Sequence, residues 1–579
     1  MTSSGKVPWE LEDIRACNHD IWQYFLATDR SQFQAAPGYG NGYQPTLNSP
    51  LRFIDRHLSP ELTLKRVVLV DSLAHDLDDA IRPEFWNFLK DNDIFPPKYE
   101  LPAVGNRSMS SVNEPRSLRR NYHSQIGRFA EVFASKLYVH PNQTSGESVF
   151  GLLDYSTTSQ YLHEANLFIL TDASEEDFGD FNLEKEVAEK VEPSTTAKLK
   201  HLRDKYEGLA SFHFLPPCPA SERIITEVAL FKPEDWLASA VESPITLPTR
   251  MDCKPLDSPA AWWSRYGSYG QPQAKVQVEP KSAANRKKTV WIPPHCSRRN
   301  ANYKPETSHF LQRAWCRAVE NDATFTIIHD GNQERIGIRQ RSTNTLFVSS
   351  VISPLETGYM RLHFSLYAAI VKDALERTRV PGPEVTENGG RKRKQVDALP
   401  TQRRSKRLKG EAAAGHSLES LFNEIASRGH TLLVSFNFGA YRSPAPSAFL
   451  RTLPSCHPDF ISQPFPRPKA NAIRHLSKCL HFIANEKIGH GATGTVHRGT
   501  IQLWTDSGAT VEENAVIKIP LGTICTPSGH LSDNKEPYAY RVPEEYHKYE
   551  TIFKGGVKFG VPKVHGVFQD VETGTVALL

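Results

Sequence analysis

Between residues 309 and 377 the apolar positions change period twice, and that change lays out the best-defined part of the chain. From 311 to 319 they recur at helical spacing. At 324–328, 335–341 and 345–352 they fall into the two-residue period of strands, with a tight turn at Asp330-Gly331-Asn332. From 359 to 377 the helical period returns, with Leu362, Leu366, Ile370 and Leu375 broadly on one side. A three-stranded meander packed on two helices is expected there. Upstream, a helix is expected over 9–26, with Leu11, Ile14, Ile21 and Phe25 inward, and the Gly/Pro/Asn stretch 37–50 reads as loop. A strand at 64–70 runs into an acidic helix opening at Asp71. The apolar run Ile224–Phe231 reads as a strand, and 172–190 as a solvated acidic face. Downstream, an amphipathic helix at 417–426 precedes a strand at 431–436.

Composition changes this picture in only a few places. The 579 residues are 39% hydrophobic and 23% charged, the balance of a soluble globular protein with a sizeable core. Prolines outnumber glycines, 41 to 34, which points to long connecting segments; 243–304 reads as one. A net charge of +4 makes no general case for nucleic acid, so any such contact rests on local clusters. The eight cysteines form no C-x-x-C pair, which argues against zinc and for a reduced cytosolic or nuclear setting. His75-Asp76 suits the solvated first turn of a helix better than a metal site. No apolar run reaches the length of a membrane span, and the amino terminus lacks a secretory apolar region.

Charge matters most at 378–415. Arg391-Lys392-Arg393-Lys394 and Arg403-Arg404-Ser405-Lys406-Arg407-Leu408-Lys409 follow a helix-breaking Pro-Gly-Pro. Such a segment cannot bury enough apolar surface to fold alone. Two basic clusters in a linker suggest a bipartite import signal, an import receptor as partner and nuclear residence.

The candidate chemistry is carboxy-terminal. Ile488-Gly489-His490-Gly491-Ala492-Thr493-Gly494-Thr495-Val496 is followed by the apolar run Ala515-Val516-Ile517 and then Lys518. The spacing is that of the glycine-rich loop and strand lysine of a protein kinase. Glycines let a hairpin tip lie against phosphates where a Cβ would block the backbone. A valine covers one face of an adenine, and the lysine brings a cation to the phosphates. ATP is the cofactor this pattern implies.

Together with Tyr441-Arg442-Ser443-Pro444, Phe449-Leu450-Arg451, Glu544-Glu545-Tyr546, Val561-Pro562 and Gly566-Val567-Phe568-Gln569-Asp570, the chain resembles the fungal-type protein kinases of mushroom-forming fungi. The meander sequence Glu334-Arg335-Ile336-Gly337-Ile338-Arg339 is also similar to the amino-terminal region of such proteins. The resemblance implies Ser/Thr-type phosphoryl transfer from ATP, with Gly489, Gly491 and Gly494 over the phosphates. Val496 and Val516 roof the adenine, and Lys518 pairs with a helix carboxylate. Glu544, Glu545 and Glu550 are the candidates. Helical phase puts Tyr546, Tyr549, Ile552 and Phe553 against the sheet and Glu545 at the edge of that face, so Glu545 is chosen.

Six segments result: an α+β region (1–242), a Pro/Lys-rich loop (243–308), the meander with its helices (309–377), the basic linker (378–415), a pre-kinase segment (416–477) and a partial kinase small lobe (478–579). No H-R-D or D-F-G follows residue 518, so the catalytic base and magnesium ligands of a kinase are missing. Catalysis is therefore expected to be incomplete, and magnesium is expected only with a carboxy-terminal lobe. Apolar surface under the small lobe would be covered by a partner or by the rest of a longer protein; the longer protein is the expectation. The other reading is a non-enzymatic nuclear interaction protein with a relic small lobe.

Overall fold

The computed structural model describes residues 50–91, 115–127, 153–156, 164–169, 208–237, 305–378 apart from 357, 431–456, 479–491, 494–504, 510–520, 541–557, 562–570 and 575–579, with a few isolated positions. The expected helices at 9–26 and 417–426, the acidic stretch 172–190, the loop 243–304 and the basic linker lie outside them, as does most of the loop at 37–50.

The fold is α+β, built on two sheets. The first has strands β1 (Arg66–Val70), β2 (Leu153–Ser156), β3 (Glu164–Ile169), β4 (Ala210–Phe214), β5 (Phe325–His329), β6 (Glu334–Gln340) and β7 (Thr345–Ser349). Their order is β1-β7-β6-β5-β4-β3-β2, with β1 parallel to β7 and β4 parallel to β5. The expected meander β5-β6-β7 is antiparallel, and its first turn is closed by Asp330 Oδ1, which accepts from the backbone N–H groups of Asn332 and Gln333. Strands from the amino-terminal 242 residues flank it on both sides, so the two stretches share one sheet.

Helices cover both faces. On one lie α1 (Leu73–Asp91), α2 (Pro115–Tyr122) and α5 (Tyr359–Thr378), joined through Leu77, Ile81, Leu118, Leu366 and Ile370. On the other lie α3 (Pro219–Glu227) and α4 (Thr307–Glu320), with Ile224, Ile225, Leu311 and Trp315 buried. The strand expected at Ile224–Phe231 is therefore a correction: α3 occupies it, followed by a 3-10 turn at Val228–Leu230. Pro219 opens that helix at a position where a missing N–H costs nothing. Ile224, Ile225 and Val228 have the i, i+1, i+4 spacing of a helix face, not a strand alternation.

The second sheet is a barrel. It comprises β8 (Thr431–Phe438), β9 (Tyr441–Arg442), β10 (Ser447–Leu453), β11 (Cys479–Gly491), β12 (Gly494–Trp504), β13 (Thr510–Ile519), β14 (Val567–Asp570) and β15 (Val576–Leu578). Pairing runs β10-β14-β15-β13-β12-β11-β8, and β8 pairs back onto β10, so seven strands close on themselves and β9 hangs from β8. Closure removes free edges and fills the interior with alternate side chains, here Val434, Phe436, Phe449, Phe482, Ile501, Ile517 and Phe568. Helix α6 (Arg541–Lys554) packs outside, through Val542, Tyr546 and Phe553 onto Leu453, Val567 and Leu578. Ile552, expected on that inner face, is instead exposed.

A short 3-10 turn, Phe53–His57, joins the two halves. Toward α4, Asp55 accepts from Arg313 at 2.7 Å, both fully buried, and its backbone carbonyl takes the Gln312 amide. Toward the barrel, His57 Nδ1 lies 2.7 Å from Ser443 Oγ and Nε2 3.0 Å from Ser447 Oγ. Phe53 packs edge-on against Phe449, and the Ser59 N–H donates to the Ala440 carbonyl.

Arg313→Met leaves the Asp55 carboxylate buried without its guanidinium and is expected to cost roughly 3–5 kcal/mol, read as a lower urea midpoint. Burial, with the charge of Arg56 second, lowers His57 from 6.5 to about 3, so it is neutral when folded. An unfolded histidine gains a proton below 6.5 and the folded one does not, so this contribution is present above 6.5 and lost as pH falls toward 3. The loss should approach about 1.4 kcal/mol per pH unit. Urea titrations of His57→Gln should show a shallower decline between pH 6.5 and 4 than the parent.

Candidate functional site

The carboxy-terminal motif folds as the long hairpin β11–β12. Gly489 pairs with Val496, His490 with Thr495 and Gly491 with Gly494; Ala492 and Thr493, between them, lie outside the described residues. Val496 pairs onward with Lys518 of β13, and Lys518 with Leu578 of β15. Gly489, Val496 and Lys518 thus form one row across three strands.

Alternation decides which way that row faces. On β12 and β13, His497, Ile501, Leu503, Ile517 and Ile519 are buried, so residues of that parity point into the barrel. Val496, Val516 and Lys518 have the other parity and point outward, to the side α6 occupies. There Lys518 Nζ meets Glu545 Oε2 at 2.5 Å, with the two side chains 19% and 26% exposed. Of the three carboxylates weighed, Glu545 is the one paired with Lys518. Glu550 is held by His547 at 3.0 Å and Lys554 at 2.8 Å, one turn away on the open side of the helix. Tyr546 and Val542, both buried, fix the rotation of α6 and so aim Glu545.

The glycines have different reasons to be glycine. A Cβ on Gly489 would meet nothing within 4 Å, so open space lies above the row beside Val496 and Lys518. A Cβ on Gly494 would stand 2.4 Å from the Ile519 carbonyl oxygen, so its bareness is required by the neighbouring strand. Gly499, which carried no signal in the sequence, is tighter still, with the Ile483 oxygen 2.0 Å from a Cβ. Thr495 Oγ1 donates to the Ile519 carbonyl and lies 3.1 Å from His497 Nε2, inside the barrel. Burial, helped by Lys487, holds His497 down at about 4. Ile488 and Val516 are each 44% exposed, a large value for side chains of their size.

A second polar cluster went unread in the sequence. Glu334, wholly buried on β6, accepts from Tyr359 at 2.6 Å and faces His363 at 3.0 Å, and Tyr122 closes on His363 Nδ1 at 2.7 Å. Burial is the largest influence on Glu334 and would raise it, but His363, His329 and the Tyr359 hydroxyl together bring the carboxyl below its ordinary range. A glutamate opening a strand gave no cue, because Tyr359 and His363 stand on α5, and α2 joins only through Tyr122 on His363. It binds those helices to the sheet from within.

Among the described residues no group of three His, Cys, Asp or Glu could hold a metal ion, and no helix is long and apolar enough to cross a membrane. No family model matches the chain, and no curated protein or solved structure is significantly similar to it.

The glycine geometry is testable by one contrast. Gly499→Ala should destabilise the barrel by about 3 kcal/mol, the upper part of the overpacking range, because backbone and not a mobile side chain must yield. Gly489→Ala should stay within about 0.5 kcal/mol of the parent. Chemical denaturation of both variants, followed by far-UV circular dichroism, measures the difference.

Proposed function

We propose that residues 478–579, closed into the barrel by β8 and β10, act as a kinase-like small lobe that binds the phosphates of ATP, with Lys518 as the phosphate cation and Glu545 as the group that holds it in place. The observation that carries this reading is the Lys518–Glu545 pair beside the open space over Gly489. Lys518 stands on β13, the strand that follows the glycine hairpin and pairs with it, and Glu545 on the helix after that, as do the strand lysine and helix glutamate of protein kinases. The resemblance to fungal-type protein kinases points the same way.

The residues fit a nucleotide in three respects. An ammonium fixed by one carboxylate keeps two further donors for phosphate oxygens. Gly489 leaves room for a group that a side chain would displace. Val496 and the exposed Val516 flank Lys518 on the same face, an apolar surface for one side of a purine.

ATP would bring the transferable phosphoryl group; the chain's own part is to bind and orient it. Phosphoryl transfer to Ser or Thr hydroxyls further requires a proton acceptor and metal ligands, which are roles other than those of Lys518, Glu545 and the glycine hairpin. Nucleotide binding is accordingly the activity assigned to these residues.

Titration with a fluorescent ATP analogue separates this reading from a purely structural pair. Lys518→Met, which keeps the length of the aliphatic stem, should weaken binding at least about tenfold while the far-UV spectrum is kept. Equal binding by parent and variant would refute the assignment.

A further inference from the structure

The outer edge of the first sheet carries a second, independent feature. Among the described residues β1 pairs with β7 alone, and no backbone group from outside the sheet bonds to residues 66–70. Five residues, Arg66-Val67-Val68-Leu69-Val70, therefore present one open row of N–H and C=O groups. Natural edges are usually blunted by proline, a bulge or an inward charge, and this strand has none of them. Leu69 is 46% exposed, and Leu230, on the 3-10 turn that packs against β1, is 72% exposed. Val67, two residues before Leu69 and on its face, packs toward the core shared with α3 and α4.

The charges bracketing the strand identify what fits this edge. Lys65 precedes it and Asp71 follows it, both exposed. Lys65 spends two donors on the Pro60 carbonyl and Thr63 Oγ1 and keeps its ammonium at the surface. Consider the same strand laid antiparallel about a two-fold axis through Val68. Val68 then faces Val68 of the other copy, Val67 faces Leu69, Arg66 faces Val70, and Lys65 faces Asp71. The Val68 pair lies on the axis and occurs once, and each of the other three relations occurs twice, as an isologous interface demands. A two-fold axis normal to the sheet permits only registers that move in steps of two residues. Shifting by one such step sets Asp71 against Val67, or Lys65 against Leu69, and loses both charge pairs.

We propose that β1 is a dimerisation edge: two copies of this chain join β1 to β1 antiparallel about Val68, making one continuous sheet with Lys65 and Asp71 paired across the junction. Main-chain hydrogen bonds supply the attachment, Leu69 and Leu230 are covered beside it, and the two charge pairs set the register. The proposal is independent of nucleotide binding, because β1 and Lys518 lie on different sheets.

Sedimentation velocity on the full chain, up to about 100 μM, tests it. The parent should move toward twice the chain mass as concentration rises. Lys65→Glu and Asp71→Lys should each weaken the dimer at least about tenfold, since either sets like charges together twice. An equimolar mixture of the two variants should dimerise again, because each then meets its opposite on the partner. Leu69→Lys, at an exposed position, should leave a monomer with a native far-UV spectrum. Independently of charge, Val68→Cys in a background with Cys17, Cys253, Cys296 and Cys525 replaced by Ser should be joined by a short bismaleimide, whereas the same background with Val68, whose remaining cysteines are buried, should not. A parent that stays monomeric, single variants that dimerise like the parent, a mixture that does not recover, or Val68→Cys that fails to crosslink would each overturn it.

Discussion

One buried ion pair holds the order of the molecule. Asp55 and Arg313 are both shut away from solvent, and such a pair is costly unless every remaining lone pair and N–H is used. Asp55 meets that condition: one carboxylate oxygen takes Arg313, the other the Arg52 N–H, and its carbonyl takes the Gln312 amide. The same five-residue turn carries Phe53 and His57 into the barrel. A shift of the turn toward α4 would pull His57 off Ser443 and Ser447, and a shift the other way would strand Arg313. The two sheets therefore share a core, and residues from α4, β7, β8 and β11 meet in it. The pair's contribution is positional. A hydrophobic replacement of both partners would pack comparably well but would not fix the turn's rotation.

Barrel closure sets the orientation of the candidate site in the same way. Because β12 approaches β11 closely enough to forbid a side chain at Gly499, the register of the three central strands has no room to slip. A one-residue slip would turn Lys518 into the apolar interior and Ile517 out to solvent. The outward direction of Lys518 thus follows from alternation plus one steric limit. Its partner follows from α6, whose Val542, Tyr546 and Phe553 seat the helix at a single rotation.

What could be read from the residues was what depends on neighbours in sequence. The meander 325–349 alternates cleanly, Asp330 is a turn former in its own right, and the helical phase of Tyr546 was enough to single out Glu545. The errors have equally local causes. Ile224–Phe231 is apolar enough for a strand, and only the Pro219 start and the i, i+4 spacing of Ile224 and Val228 reveal a helix. Ile552 sits at the margin of its helix face, where a few degrees decide burial. What depends on distant partners was illegible: the joining of β1 to β7 across 275 residues or more, the β8–β10 closure, the need for Gly499, and the Tyr122–His363–Glu334 cluster drawn from three elements.

On the nucleotide-binding proposal, the Lys518–Glu545 pair serves a ligand and adds little to stability. Both groups are about a fifth to a quarter exposed, and an ion pair in that setting contributes only about 0–1 kcal/mol after ordering two long side chains. Helix α6 does not need it, since three buried apolar residues already fix its place. Nor does the surface near Lys518 look arranged for solubility alone: Ile488 and Val516 stand exposed on the hairpin and strand, and Gly489 leaves a gap where a side chain would cover apolar surface at no steric cost. A cation held in one direction, next to a space kept open and flanked by valines, costs the fold a little and gives it almost nothing. That imbalance is what a site for an anionic ligand with a flat apolar part would be expected to leave behind.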